Sequence, residues 1–144
     1  MTNPPALRKQ EVDGSAVDRP RRIVIVEDNV DAGESLQQML ELSGHQVSLA
    51  TNGRDGVTLV RQFQPDVVLC DLGLPGGMSG FDVARELRAD PLLSGLELVA
   101  LSGYGRDEDK KRSLEARFDH HLTKPADLKT IERILGDRTT RSST

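Results

Sequence analysis

Short, continuous apolar runs recur along this chain, and segments with helical periodicity separate them. Ile23 to Val26, Val67 to Cys70 and Leu96 to Leu101 are rich in Val, Ile and Leu and show little polar alternation. Such runs are typical of parallel strands that are buried on both faces. Between the first two runs, apolar residues recur every three or four positions in Asp31 to Ser43. The alternation predicts an α/β fold, with helices on both faces of a parallel sheet.

The pattern predicts five strands and five helices between two polar tails. We predict strands at Ile23–Val26, Gln46–Ala50, Val67–Cys70, Leu96–Leu101 and His120–Leu122. We predict helices at Asp31–Ser43, Gly53–Phe63, Phe81–Ala89, Asp107–Ala116 and Leu128–Leu135. Residues 1–21 and 137–144 lack apolar periodicity, so we expect a flexible tail or linker at the start and a flexible tail at the end. Residues 22–136 form the expected single domain.

Composition excludes several classes of function. The net charge of −4 and the pI near 5.4 disfavour direct binding to nucleic acid or to an anionic membrane surface. The single cysteine, Cys70, excludes an intramolecular disulfide and a Cys-rich zinc site. No apolar stretch reaches the roughly 18 residues of a membrane span, and no signal-peptide pattern begins the chain. We therefore expect a cytoplasmic protein.

Polar residues follow the predicted strands where each one ends. Glu27 and Asp28 follow the first strand, Asp71 the third, Ser102 the fourth and Lys124 the fifth. Ligands bind at the carboxyl ends of strands in such sheets, so we expect these side chains to lie together. Three clustered carboxylates need a cation, and oxygen ligands without Cys or His favour Mg²⁺ over zinc. Lys124 and Ser102 would then contact an anion such as a phosphoryl group.

Each residue alone has a simpler explanation. Asp28 suits a helix N-cap, and Asp71 or Ser102 suits the start of a turn. Lys124, which precedes a proline, could be an ordinary surface lysine. The functional interpretation rests on their shared position at one edge of the sheet.

From about Arg22 to Leu135 the chain resembles the CheY-like receiver domains of two-component response regulators. Four motifs in chain order carry the resemblance: Ile23-Val24-Ile25-Val26-Glu27-Asp28-Asn29, Val67-Val68-Leu69-Cys70-Asp71-Leu72-Gly73-Leu74-Pro75, Ala100-Leu101-Ser102-Gly103 and Leu122-Thr123-Lys124-Pro125. Each motif is common by itself, but together they cover nearly all of the predicted domain. The segments around Ser102 and His121 are most similar to receivers attached to hybrid sensor histidine kinases.

The resemblance implies a flavodoxin-like (βα)5 fold with strand order 2-1-3-4-5. It implies that Asp71 is the phosphoacceptor, that Ser102 and Lys124 contact the phosphoryl group, and that the Lys124–Pro125 peptide bond is cis. It also implies a magnesium site formed by Asp28, Asp71 and the Gly73 carbonyl, with Glu27 acting directly or through water.

The implied partner is a sensor histidine kinase or a histidine phosphotransfer protein. Such a domain catalyses its own phosphorylation and slow dephosphorylation and acts on no external metabolite. No DNA-binding or cyclase motif follows Leu135, so we expect the output to be a protein–protein interaction with an unknown target.

Several positions depart from the family pattern. The loop Leu74 to Gly80 has one residue more than usual, and Ser79 stands where an Asp is common. His121 occupies a position where many receivers have a switching Tyr or Phe, so it is a candidate proton-sensitive switch or simply a packed imidazole. Arg117 replaces a common Gly, which strains the turn if a positive φ is required. Tyr104, like Gly73, occupies a position that tunes phosphoryl loss in the family.

Two other functions stay open at this point. A phosphorylation-independent pseudo-receiver would bind partners with the same fold, but this chain retains the full set of acids, hydroxyl and lysine. A magnesium-dependent phosphatase of the haloacid-dehalogenase type also uses an Asp nucleophile, but it needs a second Asp where Gly73 stands. The charge run Asp107 to Arg112 is either a solvated helix face or a docking face.

Overall fold

The structure is a computed structural model that describes residues 20–103 and 107–142, with side chains up to residue 136. Its centre is a five-stranded parallel sheet of order β2-β1-β3-β4-β5. The strands are β1 (Arg22–Val26), β2 (Gln46–Ala50), β3 (Val67–Asp71), β4 (Glu97–Ser102) and β5 (His120–Thr123). The helices are α1 (Val30–Leu42), α2 (Gly53–Phe63), α3 (Gly80–Arg88), α4 (Asp107–Glu115) and α5 (Leu128–Ser142), with a short 3-10 turn at Pro91–Leu93. The predicted fold class and strand order are confirmed.

Side-chain caps explain where three of the helices begin. Asn29 accepts a hydrogen bond from the Ala32 amide at the start of α1, and Asn52 accepts one from the Asp55 amide at the start of α2. Ser79 begins α3 with a reciprocal capping box. Each cap satisfies a backbone N–H group that the helix itself leaves without a partner.

The sheet separates two apolar clusters, so its central strands are buried on both faces. On one face, Val24, Val26, Val68 and Cys70 belong to a cluster with residues of α2 and α3. On the other face, the intervening residues of the same strands pack with α1 and α5. That second cluster includes Ile23, Ile25, Leu69, Leu40 and Ile131. Alternating residues of one strand therefore serve opposite layers, which is why these runs contain so few polar residues.

Three details differ from, or add to, the sequence-based prediction. The last helix continues to Ser142, past Leu135, where we predicted its end. Arg21, which we assigned to the N-terminal tail, is buried, and its guanidinium donates to the Leu135 carbonyl. Its backbone N–H donates to Nδ1 of His45, so the start of β1 is joined to α5 and to the turn before β2. These contacts link segments that are far apart in the chain, and periodicity gives no information on them.

In the turn before β5, the residue that replaces the family's common Gly has a positive φ. Arg117 has a φ of 70°, in the left-handed region that favours glycine. The Arg88 side chain spans this turn: its Nε donates to the Arg117 carbonyl, and its Nη2 lies 2.7 Å from Asp119 Oδ2. Asp119 also accepts from the Leu98 amide. The Arg88–Asp119 pair therefore holds the strained turn against the sheet.

Within the described residues, no helix has both the length and the apolar character needed to cross a membrane.

Candidate functional site

The carboxyl ends of the central strands place the predicted site residues along one edge of the sheet. Asp71 ends β3 and pairs in register with Leu101 of β4, so Ser102 lies one residue further along the neighbouring strand. Ser102 in turn pairs with Thr123 of β5, and its carbonyl accepts a hydrogen bond from the Lys124 amide at 2.7 Å. The parallel arrangement thus brings together residues that are separated by up to about a hundred positions in sequence.

Glu27, Asp28 and Asp71 form a cluster of carboxylates at this edge. One oxygen from each of the three lies within 4.8 Å of the others. Glu27 and Asp71 are buried and Asp28 is exposed. Ligands of an octahedral Mg²⁺ are about 3.0 Å apart when adjacent and about 4.2 Å apart when opposite, so pairs of these oxygens need to approach by at most about 2 Å to share one ion. The donor chemistry and spacing therefore fit a magnesium ion.

Lys124 connects the two buried carboxylates. Its Nζ lies 2.7 Å from Glu27 Oε1 and 3.1 Å from Asp71 Oδ2. The other oxygens accept backbone hydrogen bonds: Glu27 Oε2 from the Asn29 amide at 3.1 Å, and Asp71 Oδ1 from the Gly73 amide at 3.0 Å. Each acid is thereby held by one ammonium and one backbone N–H, and both keep lone pairs for another ligand.

The electrostatics of the cluster keep Lys124 charged. Burial acts to lower the pKa of Lys124, but its hydrogen bonds to Glu27 and Asp71 and their negative charges outweigh burial, so the pKa is raised. A permanent positive charge therefore lies beside Asp71, where a phosphoryl group bound to that carboxylate would also need it. Cys70, the neighbour of Asp71, is fully buried, and burial raises the pKa of its thiol, so it is no competing nucleophile.

Ser102 is buried, and its hydroxyl has a partner that we did not predict. Ser102 Oγ lies 3.1 Å from Nε2 of His121. Because Ala100 pairs with His121, and Ser102 is two residues after Ala100, the two side chains share one face of the sheet. Strand register is the signal that reveals this pair, and the register depends on which strands are neighbours in the sheet. His120 points its imidazole elsewhere, with Nε2 at 2.6 Å from Glu97 Oε2.

The long loop after Asp71 is shaped by its glycines. Gly76 and Gly77 have φ values of 86° and 83°, so both use the left-handed conformation that glycine adopts without strain. Gly80, at the start of α3, packs so closely that an added Cβ would lie 2.3 Å from the Asp71 carbonyl oxygen. Ser79, the departure from the family's Asp, caps α3. The loop is thus anchored at the end nearer the helix, directly against Asp71.

Of the remaining predicted site residues, Gly73 and Pro125 lie beside the cluster, and Tyr104 is outside the described residues. The Gly73 amide donates to Asp71, while the role of its carbonyl as a metal ligand stays a prediction. The Lys124–Pro125 peptide bond is cis, the isomer that the resemblance implied. A groove lined by α1 and the β5–α5 connection reaches Glu27 and Lys124, and it leaves the site open on that side. Ala32, Met39 and Ala126 form part of its apolar wall.

Comparison with known protein families gives a match over residues 23–135 to the family described as "Response regulator receiver domain". The chain belongs to this family. Among curated relatives of the family, it is similar to protein PilH of Pseudomonas aeruginosa, with 41% identity over 118 residues, covering 79% of this chain and 97% of PilH. It is also similar to the DNA-binding response regulator MtrA of Mycobacterium leprae, with 38% identity over 105 residues. That match covers 73% of this chain but only 45% of MtrA, so the chain spans less than half of that relative.

Solved structures agree with the family assignment. The signal receiver domain of a signal transduction histidine kinase from Syntrophus aciditrophicus has a TM-score of 0.69 and 30% identity, and the match covers 84% of this chain and 88% of that one. The predicted family and fold are therefore confirmed. This chain is a receiver domain of the response regulator type, and such domains are typically signalling modules without activity on an external substrate.

Proposed function

We propose that this receiver domain accepts a phosphoryl group on Asp71, in a magnesium-dependent reaction, and that phosphorylation changes which protein it binds. The observation that carries the proposal is the placement of Lys124 Nζ between Glu27 and Asp71, within reach of the three-carboxylate cluster. That arrangement supplies a nucleophile, a fixed cation and oxygen ligands at one point.

In the proposed reaction, an Asp71 carboxylate oxygen attacks the phosphorus of a phosphohistidine on the partner. A P–O bond forms, the P–N bond breaks, and the electron pair stays on the donor imidazole, which takes up a proton. Lys124 moves its hydrogen bond from the Asp71 carboxylate to a phosphoryl oxygen, and Ser102 donates its hydroxyl proton to another. The Gly73 amide holds the attacking carboxylate through Oδ1. Magnesium, held by Glu27, Asp28, Asp71 and the Gly73 carbonyl, would neutralise charge on the transferred group.

The proposed donor is a sensor histidine kinase or a histidine phosphotransfer protein, which reaches Asp71 from the open edge of the sheet. Autodephosphorylation, in which water attacks the aspartyl phosphate and releases inorganic phosphate, is the only further reaction that we propose.

We also propose that residues 22–136 are the functional unit, that the protein is cytoplasmic, and that it binds neither nucleic acid nor membrane directly. Its net charge of −4 supports the last point. Attachment to a hybrid kinase is supported by similarity to a histidine kinase receiver.

The proposal is tested by incubating the protein with Mg²⁺ and acetyl phosphate and measuring its intact mass. We expect one phosphoryl adduct, and hydroxylamine should remove it. Chelation of Mg²⁺ by EDTA should prevent its formation. Asp71→Asn should abolish the adduct, whereas Asp82→Asn, a change at an acid in the first turn of α3, should leave it intact. Absence of an adduct on the unaltered chain would favour a phosphorylation-independent interaction module. An adduct that persists in Asp71→Asn would exclude Asp71 as the acceptor.

A further inference from the structure

The Ser102–His121 hydrogen bond joins the proposed phosphorylation site at the carboxyl edge of the sheet to an imidazole. That imidazole has no role in the reaction proposed above. The 3.1 Å distance joins Ser102 Oγ to His121 Nε2, and the strand register places both side chains on one face of the sheet. The second ring nitrogen, Nδ1, is buried and has no hydrogen-bond partner among the described residues. Within the part of the chain that the structure describes, the polar contact of this imidazole is therefore with the Ser102 hydroxyl.

The direction of this hydrogen bond decides what Ser102 can do. A hydroxyl has one proton to donate and two lone pairs that accept. If the imidazole proton is on Nδ1, Ser102 must donate its own proton to Nε2, and the buried Nδ1–H group has no acceptor among the residues that the structure describes. If the proton is on Nε2, the imidazole donates to Ser102 Oγ, and the hydroxyl proton is available for another acceptor. A phosphoryl oxygen on Asp71 can be satisfied together with His121 only in the second arrangement.

We propose that His121 is a positioning residue for phosphorylation at Asp71: with its proton on Nε2, it orients the Ser102 hydroxyl so that its proton points to a phosphoryl oxygen. This inference rests on the proposed function, and it adds to the phosphorylation site a residue, His121, that acts through Ser102. A chain of hydrogen bonds then runs from His121 through Ser102 to the phosphoryl group. Each donor in such a chain polarises the next, so the hydroxyl becomes a better donor.

The surroundings of His121 favour the neutral ring that this arrangement uses. Burial lowers the pKa of His121, and the positive charge of Lys110 on α4 lowers it further, against the opposing effect of Asp109. A neutral imidazole has one proton to place, so its tautomer is set by the partner at Nε2. The charges that act on this imidazole from α4 are thus of opposite sign, and burial is the largest effect on its pKa.

The first test reads the tautomer directly. The chain has three histidines, so ¹⁵N NMR of the imidazole rings resolves each of them. At pH 7.5, with Mg²⁺ and beryllofluoride as the phosphoryl mimic, we expect His121 to adopt the Nε2–H tautomer. His120, which contacts Glu97 instead, is the internal control and should not change. A His121 ring that remains Nδ1–H with the mimic bound would overturn the proposal.

The second test measures the rate of labelling by acetyl phosphate. His121→Phe keeps the ring and removes both nitrogens, and we expect labelling of Asp71 to slow about two- to tenfold, the effect of one hydrogen bond. His121→Gln keeps an amide N–H near the place of Nε2, so it should restore most of the rate. In a Ser102→Ala background, His121→Phe should have no further effect, because the group that it orients is gone.

The outcomes separate the two proposals. If His121→Phe slows labelling equally with and without Ser102, or if neither His121 variant changes the rate, the positioning role is refuted while Asp71 remains the acceptor. If the unaltered chain is not labelled at all, the proposed function fails, and the positioning role fails with it. The NMR test uses the unaltered protein, so it decides the question even if a substitution at residue 121 prevents folding.

Discussion

Lys124 is predicted to stabilise the fold without magnesium and to compete with magnesium for the acidic cluster. Replacing it with methionine keeps the length of the side chain and removes the charge between Glu27 and Asp71. Hydrogen bonds to charged groups contribute about 1.5–3 kcal/mol each in buried settings. The Lys124 side chain is 30% exposed, so solvent screening reduces the contribution of its two contacts. We expect Lys124→Met to lower the free energy of unfolding by about 2 kcal/mol at pH 7.5 in EDTA.

Urea denaturation measures this change. With a slope of about 2 kcal/mol per M, the midpoint should fall by about 1 M. Adding Mg²⁺ should recover much of the loss, because the ion replaces the missing positive charge and binds the folded state selectively. The same Mg²⁺ concentration should stabilise the unaltered protein less, since Lys124 already occupies two of the carboxylates.

The matched control is Lys129→Met, which removes an exposed charge on α5 and should change neither stability nor the magnesium response.

The pH dependence of stability gives a second check. Because the folded pKa of Lys124 is raised, its contribution is complete below the unfolded pKa of about 10.4 and is lost as pH rises through the folded value. The difference in the free energy of unfolding between Lys124→Met and the unaltered protein should therefore be constant from about pH 7 to 9. An unchanged midpoint in EDTA, or a smaller Mg²⁺ effect on the variant, would refute this account of the cluster.

Three further substitutions test the surroundings of the site. Arg117→Gly relieves the left-handed strain at φ 70° and should stabilise the protein by about 0.5–1 kcal/mol in urea denaturation. Gly80→Ala forces a Cβ against the Asp71 carbonyl, so thermal denaturation should show a loss of about 1–3 kcal/mol, with slower acetyl phosphate labelling. Burial lowers the pKa of His45, so its contribution to stability is lost as pH falls below about 6.5. His45→Asn, whose amide oxygen can still accept from Arg21, should show a smaller decrease in stability between pH 7.5 and 5.5.

Each of these substitutions has an outcome that contradicts its premise. A destabilised Arg117→Gly variant would show that the arginine side chain contributes more than the strained backbone costs. Unchanged stability in Gly80→Ala would mean that α3 does not pack against β3 as described. An equal loss between pH 7.5 and 5.5 in His45→Asn and the unaltered protein would show that His45 does not bind protons differently on unfolding.

The sequence predicts the sheet and its acidic edge because both depend on local pattern. Apolar runs mark strands that are buried on both faces, and the residue after each run must lie at the carboxyl edge. Strand-end position alone was therefore enough to assign Glu27, Asp71 and Lys124 to one site. Spacing did not show that Lys124 contacts both acids, because that depends on side-chain conformations at the meeting point of three strands.

The contacts that the sequence did not predict are tertiary ones. The Ser102–His121 hydrogen bond follows from the β4–β5 register, and the burial of Arg21 follows from contacts with His45 and Leu135, which are distant in sequence. Helix periodicity also placed the end of α5 at Leu135, since the polar residues beyond it carry no apolar pattern. For Ser102 and Arg21 the decisive partner comes from another element, so local propensity could not identify it.

The central claim is that Asp71 carries the phosphoryl group, and residue-level trapping of the adduct tests it most directly. The protein is incubated with Mg²⁺ and acetyl phosphate, reduced with borohydride, digested, and sequenced by tandem mass spectrometry. Borohydride reduces an aspartyl phosphate to homoserine, so the modified position is identified without relying on a variant. We predict homoserine at residue 71, no reduced side chain at any other acidic position, and no reduction when Mg²⁺ is absent. A reduced side chain at Asp28 or Glu27, or homoserine at residue 71 with Mg²⁺ removed, would contradict the proposed site.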